Sequence, residues 1–554
     1  MTGMNLIKFR IISALALAAA LALASAPANA NAGPPGLAEI EQQYADFLDA
    51  HGAAAAIGAE VVPSVAGHDR RFWEAERSRL SNELSIYFNE IDNKYKPNSL
   101  SREFLSMRRS FEELAGDDVE TPGGPAHCAG AAVASAAERL SASLYDCFDD
   151  PGNRVVFEGR TMTRVSALQL LQELTGQEQR EALFRALEPL WRAVNADDGA
   201  ESPYRRLIRH NADAFAQGHS PVHDAAAGFG ITVPQAERWL VQVLEAWAAA
   251  NRESVPLQPW DYWFRYSKAS RVLSRRIPRS ALLRLQQRFF SDLGADPAAL
   301  GVLFDIAPRP GKAPLAYSDL VRIGRLQNGS WRPALAWVSA NDDRGGLGVL
   351  NELVHETGHA VHFMAIRARP ALYWPDTTFI EAFADVPSWS VFTPAWQRRY
   401  LGESSSQADG LREQYAGVML DIAWSLFEIR MLERPAQDPN ALWSSITQEY
   451  LNVVPHPEAS WWAMRSQLVT DPGYMVNYGL GAIITAGIRA RTAAAIGSFD
   501  AGNPRWYAWL SAQLLASGDE QPLRERLRAF LGHEASPDEL LRDIARISGG
   551  SNPH

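Results

Sequence analysis

The residues best suited to chemistry lie in one segment, 347–369, which reads LGVLNELVHETGHAVHFMAIRAR. Its apolar residues recur at helical spacing and Pro370 follows it, so the pattern predicts a helix of about 20 residues. His355 and His359 are four residues apart, which places both imidazoles on one helix face, about 6 Å apart at Cβ. Zn²⁺ binds imidazole nitrogen at about 2.0 Å, so the pair predicts a site for one zinc ion.

Glu356 follows the first histidine and therefore projects beside the ion rather than onto it. A carboxylate in that position can take a proton from a water held by the metal, which is the chemistry expected of an HExxH helix. The alternative is an ordinary helix that happens to carry two histidines and a glutamate. The rarity of the motif and its place on an amphipathic helix favour the metal site.

A catalytic zinc needs three protein ligands and one open position, so a third ligand must come from elsewhere in the chain. Glu381 lies 22 residues after His359 in TTFIEAFADVPSWSVF, a segment that resumes a helical pattern after a turn. We therefore predict Glu381 as the third ligand. Asp385 lies four residues further, on the same face, where its carboxylate could accept the second ring N–H of a ligand histidine. A salt bridge on the helix surface is the alternative for Asp385.

The elements that must position these residues are mostly helices. Long segments repeat apolar residues at three and four positions, among them 72–95, 101–115, 127–147, 234–251, 411–430 and 474–495. Residues 154–163 predict a short hairpin around Glu158–Gly159, and 331–340 is rich in strand-forming residues. The fold class predicted is mainly α, with a small β-sheet next to the HExxH helix.

The first residues predict the compartment. Residues 1–30 combine basic residues, an apolar run and a small-residue cleavage site, which is typical of a signal peptide. We expect a protein secreted to a bacterial periplasm, without a membrane anchor. The chain contains only Cys128 and Cys147, and an oxidising compartment favours a disulfide between them over two separate thiols.

Length and charge limit the remaining possibilities. We expect residues 31–554 to form one helical enzyme body, with an N-terminal part at 31–310, the zinc region at 311–490 and C-terminal helices at 491–554. The net charge of the chain is −11, which makes nucleic acid a poor partner.

The combination of HETGH, the following AVH and an EAFAD-type helix resembles a group of helical metallopeptidases that includes thimet oligopeptidase, angiotensin-converting enzyme and carboxypeptidase Taq. The segment GYMVNYGLG at 473–481 is similar to a tyrosine-containing run of the last family. The resemblance covers 330–490. It implies a large two-lobed helical body with a deep channel.

The resemblance also implies roles for two tyrosines and one strand. Tyr478 would donate its phenol proton to the oxyanion, and Tyr474 would line the pocket, although two tyrosines four residues apart often serve only packing. In such enzymes a strand just before the metal helix pairs with the substrate backbone, which points to Trp337 and Ala340 as substrate-binding residues. An ordinary edge strand is the alternative for 331–340.

These features predict a zinc peptidase that cleaves short peptides with a water activated by Glu356. We favour carboxypeptidase or dipeptidyl carboxypeptidase action over internal cleavage of oligopeptides. The alternative from another class is a non-catalytic periplasmic peptide-binding protein with a structural metal. Glu356 argues for the enzyme, because a structural zinc site has no use for that carboxylate and would close the fourth position.

Overall fold

The computed structural model describes residues 36–94, 100–115, 140–145, 154–251, 255–309, 312, 316–341 and 344–549 of the 554-residue chain. The predicted signal peptide, Cys128 and Cys147 lie outside these residues, so the predicted cleavage and disulfide stay predictions. Within the described part, no helix has both the length and the apolar character of a membrane span.

Helices dominate the described residues, so the mainly α fold class is confirmed. The α-helices are α1 (Leu37–Gly58), α2 (Arg70–Lys94), α3 (Arg102–Ala115), α4 (Arg164–Leu171), α5 (Gln177–Arg185), α6 (Glu188–Asn195), α7 (Pro203–Ala216), α8 (Pro221–Gly228), α9 (Val233–Asn251), α10 (Tyr262–Tyr266), α11 (Lys268–Leu273), α12 (Leu282–Asp292), α13 (Pro297–Leu300), α14 (Leu347–Ala365), α15 (Thr377–Ser388), α16 (Pro394–Leu401), α17 (Gln407–Glu433), α18 (Pro439–Leu451), α19 (Gln467–Thr470), α20 (Met475–Ile496), α21 (Trp506–Leu510), α22 (Leu523–Leu531) and α23 (Asp538–Gly549). Short 3₁₀ helices are Pro259–Asp261, Ser274–Arg276, Arg279–Ala281, Pro370–Leu372, Trp389–Phe392 and Trp461–Met464.

Three small sheets complete the described structure. The strands are β1 (Val155–Phe157), β2 (Arg160–Met162), β3 (Leu303–Asp305), β4 (Tyr317–Arg322), β5 (Arg325–Gln327), β6 (Ser330–Arg332) and β7 (Leu335–Ser339). β1 and β2 form the predicted hairpin, and Glu158 and Gly159 turn it with φ of 48° and 74°. β5 and β6 form a second hairpin. The third sheet has the order β3-β7-β4, in which β7 pairs in parallel with β3 and antiparallel with β4.

The three-stranded sheet lies next to the HExxH helix, as predicted, because β4 and β7 both contact α14. On its other side, β4 contacts α1. Gly52 makes that approach possible, since a Cβ atom there would lie 2.4 Å from the carbonyl oxygen of Leu320. The sheet is therefore held between the first helix of the described chain and the helix that bears the histidines.

The main buried hydrophobic cluster extends along the chain from Ile40 to Ile547 and includes residues of nearly every long helix. Elements far apart in sequence thus share one core. The predicted division at residues 310 and 490 is not tested by this packing and stays a prediction.

The HExxH helix ends at Ala365, four residues before the predicted end. Ile366 has extended backbone, with φ −62° and ψ 133°, and the guanidinium of Arg367 donates to the carbonyl oxygens of Met364 and Ile366 at 2.9 Å. These bonds satisfy carbonyls that have no partner at a helix end. The early stop turns the chain toward α15.

Candidate metal centre and its pocket

The two histidines lie on α14 as the helical spacing predicts. His355 and His359 point their Nε2 atoms at one another at a distance of 3.1 Å, and both side chains are largely buried. Burial and, to a smaller extent, the charge of the nearby His355 together lower the pKa of His359 to about 4, so His359 is a neutral imidazole at neutral pH. A neutral imidazole is the form that binds a metal ion.

The third predicted ligand reaches the same point from α15. The Oε2 atom of Glu381 lies 3.6 Å from Nε2 of His355 and 3.8 Å from Nε2 of His359. Gly358, inside the HETGH motif, allows this approach, since a Cβ atom there would lie 2.9 Å from the Cα atom of Ala384 on α15. The glycine lets the two helix backbones pack closely enough for Glu381 to face the histidines.

Asp385 holds the first histidine. The Nδ1–H of His355 donates to Oδ1 of Asp385 at 2.7 Å, and Ser388 donates to the same oxygen at 3.1 Å. Burial alone would lower the pKa of His355, but the charge and hydrogen bond of Asp385 raise it well above its usual value. Because Nδ1 is engaged by Asp385, Nε2 is the ring nitrogen that faces His359 and Glu381 and would bind a metal ion on release of its proton.

These donors fit a zinc ion. A tetrahedral zinc with ligands at about 2.0–2.2 Å keeps its donor atoms roughly 3.3–3.5 Å apart, and the three separations here are 3.1, 3.6 and 3.8 Å. Two imidazoles and one carboxylate are also a common donor set of catalytic zinc. The ligand atoms of His355, Glu356 and His359 likewise lie within 4.8 Å of one another, so Glu356 stands beside the same point.

Glu356 is oriented by a contact outside its own helix. Its Oε2 atom accepts a hydrogen bond from the hydroxyl of Ser318 on β4 at 3.0 Å. Burial, opposed by the charge of His355 and reinforced by the charge of Glu381, raises the pKa of Glu356 to about 7. A carboxyl group with a pKa near neutrality can both accept and return a proton.

A cavity of about 220 Å³ opens over this centre. Its walls come from α14, α15, the start of β4, and the segment that leads into α20. The lining residues are Tyr145, Ala316, Tyr317, Ser318, His355, Glu356, His359, Phe363, Ile380, Glu381, Ser466, Gln467, Thr470, Asp471, Tyr474 and Tyr478.

Both predicted tyrosines line this pocket, but they make different bonds. The phenol of Tyr474 donates to Oε1 of Glu381 at 2.9 Å, so Tyr474 orients a predicted metal ligand. The phenol oxygen of Tyr478 accepts from Nε2 of Gln467 at 3.2 Å, which leaves its own proton available to donate. Burial and the charge of Glu381 raise the pKa of both phenols well above the usual value, so both keep their protons.

The structure does not place Trp337 or Ala340 in the pocket, which corrects the expectation that this strand meets the substrate. β7 is the middle strand of its sheet, and both of its edges are already paired. Trp337 and Ala340 are each only 1% exposed, and the indole ring packs edge-on against Tyr317. β3 and β4 are the outer strands, and the first residues of β4 line the pocket. Strand order depends on distant pairing, which the local pattern of 331–340 does not contain.

Sequence reasoning missed the wall formed by Ser318 and Gln467. Neither residue belongs to a recognisable motif, and β4 begins directly after a segment rich in proline and glycine. Ser318 is the second residue of β4, and β5, β6 and β7 separate it from the metal helix, so no local signal links it to the HExxH motif.

No family model matches the sequence, and no curated protein matches it. Solved structures match almost the whole chain at low identity. A carboxypeptidase from Deinococcus radiodurans is 15% identical with a TM-score of 0.54, and the match covers 93% of this chain and 99% of that chain. A protein named as an oligoendopeptidase F, from Bacillus anthracis, is 14% identical with a TM-score of 0.52, covering 94% and 97%. Pz peptidase A, solved with an inhibitor, is 16% identical with a TM-score of 0.53, also covering 94% and 97%. The chain therefore shares the helical fold of these peptidases.

Proposed function

We propose that this chain is a zinc-dependent peptidase that hydrolyses short peptides. The observation that carries the proposal is the meeting of His355, His359 and Glu381 at one point, with Glu356 beside them in an open pocket. Three ligands with a free fourth position are typical of catalytic rather than structural zinc. Solved structures with this fold carry the names of peptidases, which supports the same class of substrate.

The residues of the pocket would divide the work of hydrolysis. A zinc ion held by His355, His359 and Glu381 would polarise the scissile carbonyl and lower the pKa of a water to about 7. Glu356 would accept a proton from the attacking water and return it to the departing amine. Tyr478 would donate its phenol proton to the oxygen that becomes negative in the transition state. Asp385 would keep His355 in the tautomer that presents Nε2.

For the position of cleavage, we favour removal of one or two residues from the C-terminus over internal cleavage. Tyr145 and Tyr317 line the pocket beside the two tyrosines already assigned, and phenol hydroxyls can donate to a terminal carboxylate. One neighbour in structure is named a carboxypeptidase and another an oligoendopeptidase, so both modes occur on this fold. Comparing one short peptide with a free and with an amidated C-terminus separates them, since equal rates would indicate internal cleavage.

We also propose that the enzyme works after export, in a periplasm, because residues 1–30 have the pattern of a signal peptide. Fractionation of cells that make the full chain would test this. The periplasmic fraction should contain a protein shortened near residue 30, whereas a full-length cytoplasmic protein would contradict the proposal.

The decisive experiment compares the wild type with Glu356→Gln on a mixed library of short peptides, with zinc measured on both. If the proposal is correct, both proteins bind about one zinc and only the wild type cleaves. If both bind zinc and neither cleaves, the chain is a peptide-binding protein with a structural metal.

A further inference from the structure

The strand β4 meets the HExxH helix through a side-chain hydroxyl. Ser318 Oγ lies 2.6 Å from the backbone oxygen of Glu356 and 3.0 Å from its Oε2 atom. A serine hydroxyl carries one proton, so the two contacts share it as a bifurcated hydrogen bond to two oxygens of the same residue. Both of these oxygen atoms of Glu356 thus lie on the side of its helix that meets β4.

The position of Ser318 is itself fixed from two sides. In the antiparallel register, Ser318 stands opposite Val338 of β7, the central strand of the sheet. Two residues earlier, the backbone N–H of Ala316 donates to the carboxyl group of Glu352, one helical turn before Glu356 on α14. The start of β4 is thus attached to two successive turns of the metal helix and to the sheet behind it.

Glu356 needs such a contact because its side chain is long. Three torsions lie between the helix backbone and the carboxylate, and the last of them has broad, weak preferences. Displacing a reacting group by about 1 Å can lower a rate on the order of a hundredfold. The helical spacing of HExxH places the Cβ atom of Glu356 but does not by itself set these torsions.

We infer that Ser318 is a positioning residue, whose hydroxyl holds the carboxylate of Glu356 in the orientation that accepts the proton of the attacking water. This inference rests on the proposed peptidase function. Ser318 acts through Glu356 and is not assigned a contact with the substrate or the metal. The backbone pairing of β4 does not involve the hydroxyl, so the side chain can be changed while the strand is kept.

The first test compares Ser318→Ala with Ser318→Thr, which retains a hydroxyl and suits a strand. Ser318→Ala should lower kcat on the order of 10- to 100-fold, with KM within about twofold and zinc still near one per chain. Ser318→Thr should recover most of the lost rate. Ser444→Ala, a buried serine on α18 that does not line the pocket, is the matched control and should retain full activity.

Two results would overturn the inference. One is a Ser318→Ala enzyme with unchanged kcat. The other is a Ser318→Ala enzyme whose lost activity matches a loss of zinc, which would mean that the hydroxyl supports the metal site as a whole. Failure of the proposed function looks different from either, because the wild type would then not cleave peptides at all.

A second test does not depend on turnover. A phosphinic peptide imitates the tetrahedral geometry of the transition state, and its binding can be measured in the wild type, Ser318→Ala, Glu356→Gln and the double variant by calorimetry. If Ser318 acts only through Glu356, its removal weakens binding on the order of tenfold in the wild type and has little further effect in Glu356→Gln. Equal weakening in both backgrounds would show that Ser318 acts independently, and would overturn the inference.

Discussion

Two buried glutamates, Glu381 and Glu428, hold Tyr474 through its side chain and through its neighbouring backbone, and the two differ in charge. Glu381 on α15 accepts a hydrogen bond from the phenol hydroxyl of Tyr474. Glu428 on α17 accepts the backbone N–H groups of Gly473 and Met475, the residues on either side of that tyrosine, at 2.9 and 2.8 Å. Glu381 is also a predicted metal ligand, whereas Glu428 is not.

Their surroundings explain the difference. Burial would raise the pKa of Glu381, but its hydrogen bond to His355, the neighbouring imidazoles and the hydrogen bond from Tyr474 lower it below the usual value. Burial raises the pKa of Glu428 to about 8, because backbone N–H groups carry only partial charges and compensate incompletely. The carboxylate of Glu381, beside imidazoles, therefore stays charged and suits a cation. The carboxyl group of Glu428, among backbone amides, instead holds the backbone by hydrogen bonds.

Removing Glu381, the glutamate that stays charged, should have the largest effect on the site. Glu381→Ala removes one of three predicted ligands, so zinc affinity should fall by at least about a hundredfold, and peptide cleavage should fall with it. Zinc titration with a competing chelator measures the first effect. A variant that keeps zinc of wild-type affinity would show that Glu381 is not a ligand.

Substitutions of Tyr478 and Tyr474 should likewise have different effects, one on turnover and the other on zinc binding. Tyr478→Phe should lower kcat about a hundredfold and leave zinc affinity unchanged, because the phenol is proposed to act on the substrate. Tyr474→Phe removes the bond to Glu381 and should weaken zinc binding by up to about tenfold. Steady-state kinetics and zinc titration on both variants provide the check. Interchanged results would reverse the two assignments.

Asp385→Asn tests how much the charge beside the first histidine contributes. The amide oxygen can still accept the Nδ1–H of His355, but it no longer carries a negative charge. We expect zinc affinity to fall about 10-fold, and activity at saturating zinc to recover most of its value. Persistent inactivity at saturating zinc would assign Asp385 a direct part in the reaction.

Glu381 was predictable from the sequence as a candidate metal ligand, whereas the hydrogen bonds of Glu428 to the backbone were not predictable. His355, His359 and Glu381 follow from helical spacing, because one helix fixes two ligands and a second helix of the right length delivers the third. Asp385 follows from the same spacing. Each of these predictions needs only local periodicity and the known demands of zinc.

Glu428 lies in the segment LFEIRMLE, which reads as an ordinary amphipathic helix. Its role depends on the packing of α17 against α20, which no local pattern contains. The same reason explains the error at Trp337, where the strand was predicted but its neighbours were not. The helical class, the hairpin and the candidate metal ligands could thus be predicted from nearby residues, while strand order and the walls of the pocket depend on distant contacts.

Replacing Glu428 should shift Tyr474 and leave zinc affinity nearly unchanged. Glu428→Gln keeps one acceptor oxygen but turns a donor toward the second backbone N–H, so the turn at Gly473 to Met475 should shift. We expect kcat to fall by up to about tenfold, with zinc affinity within about twofold of the wild type. A loss of zinc affinity as large as that of Glu381→Ala would erase the distinction between the two glutamates.

The smallest effect concerns stability and pH. The pKa of Glu428 is about 8 in the folded protein, against an ordinary value of 4.5, so the folded state binds this proton more tightly than the unfolded state. Its contribution to stability is therefore complete below about pH 4.5 and is lost as pH rises toward 8, by a few kcal/mol and at most about 5. Glu428→Gln, which cannot ionise, should lie below or near the wild type in melting temperature at pH 5 and gain on it steadily up to pH 8. Glu449→Gln, at an exposed position of α18, serves as the control. A difference in melting temperature between Glu428→Gln and the wild type that stays constant across this range would mean that Glu428 is charged in the folded protein. Glu381 and Glu428 would then carry the same charge.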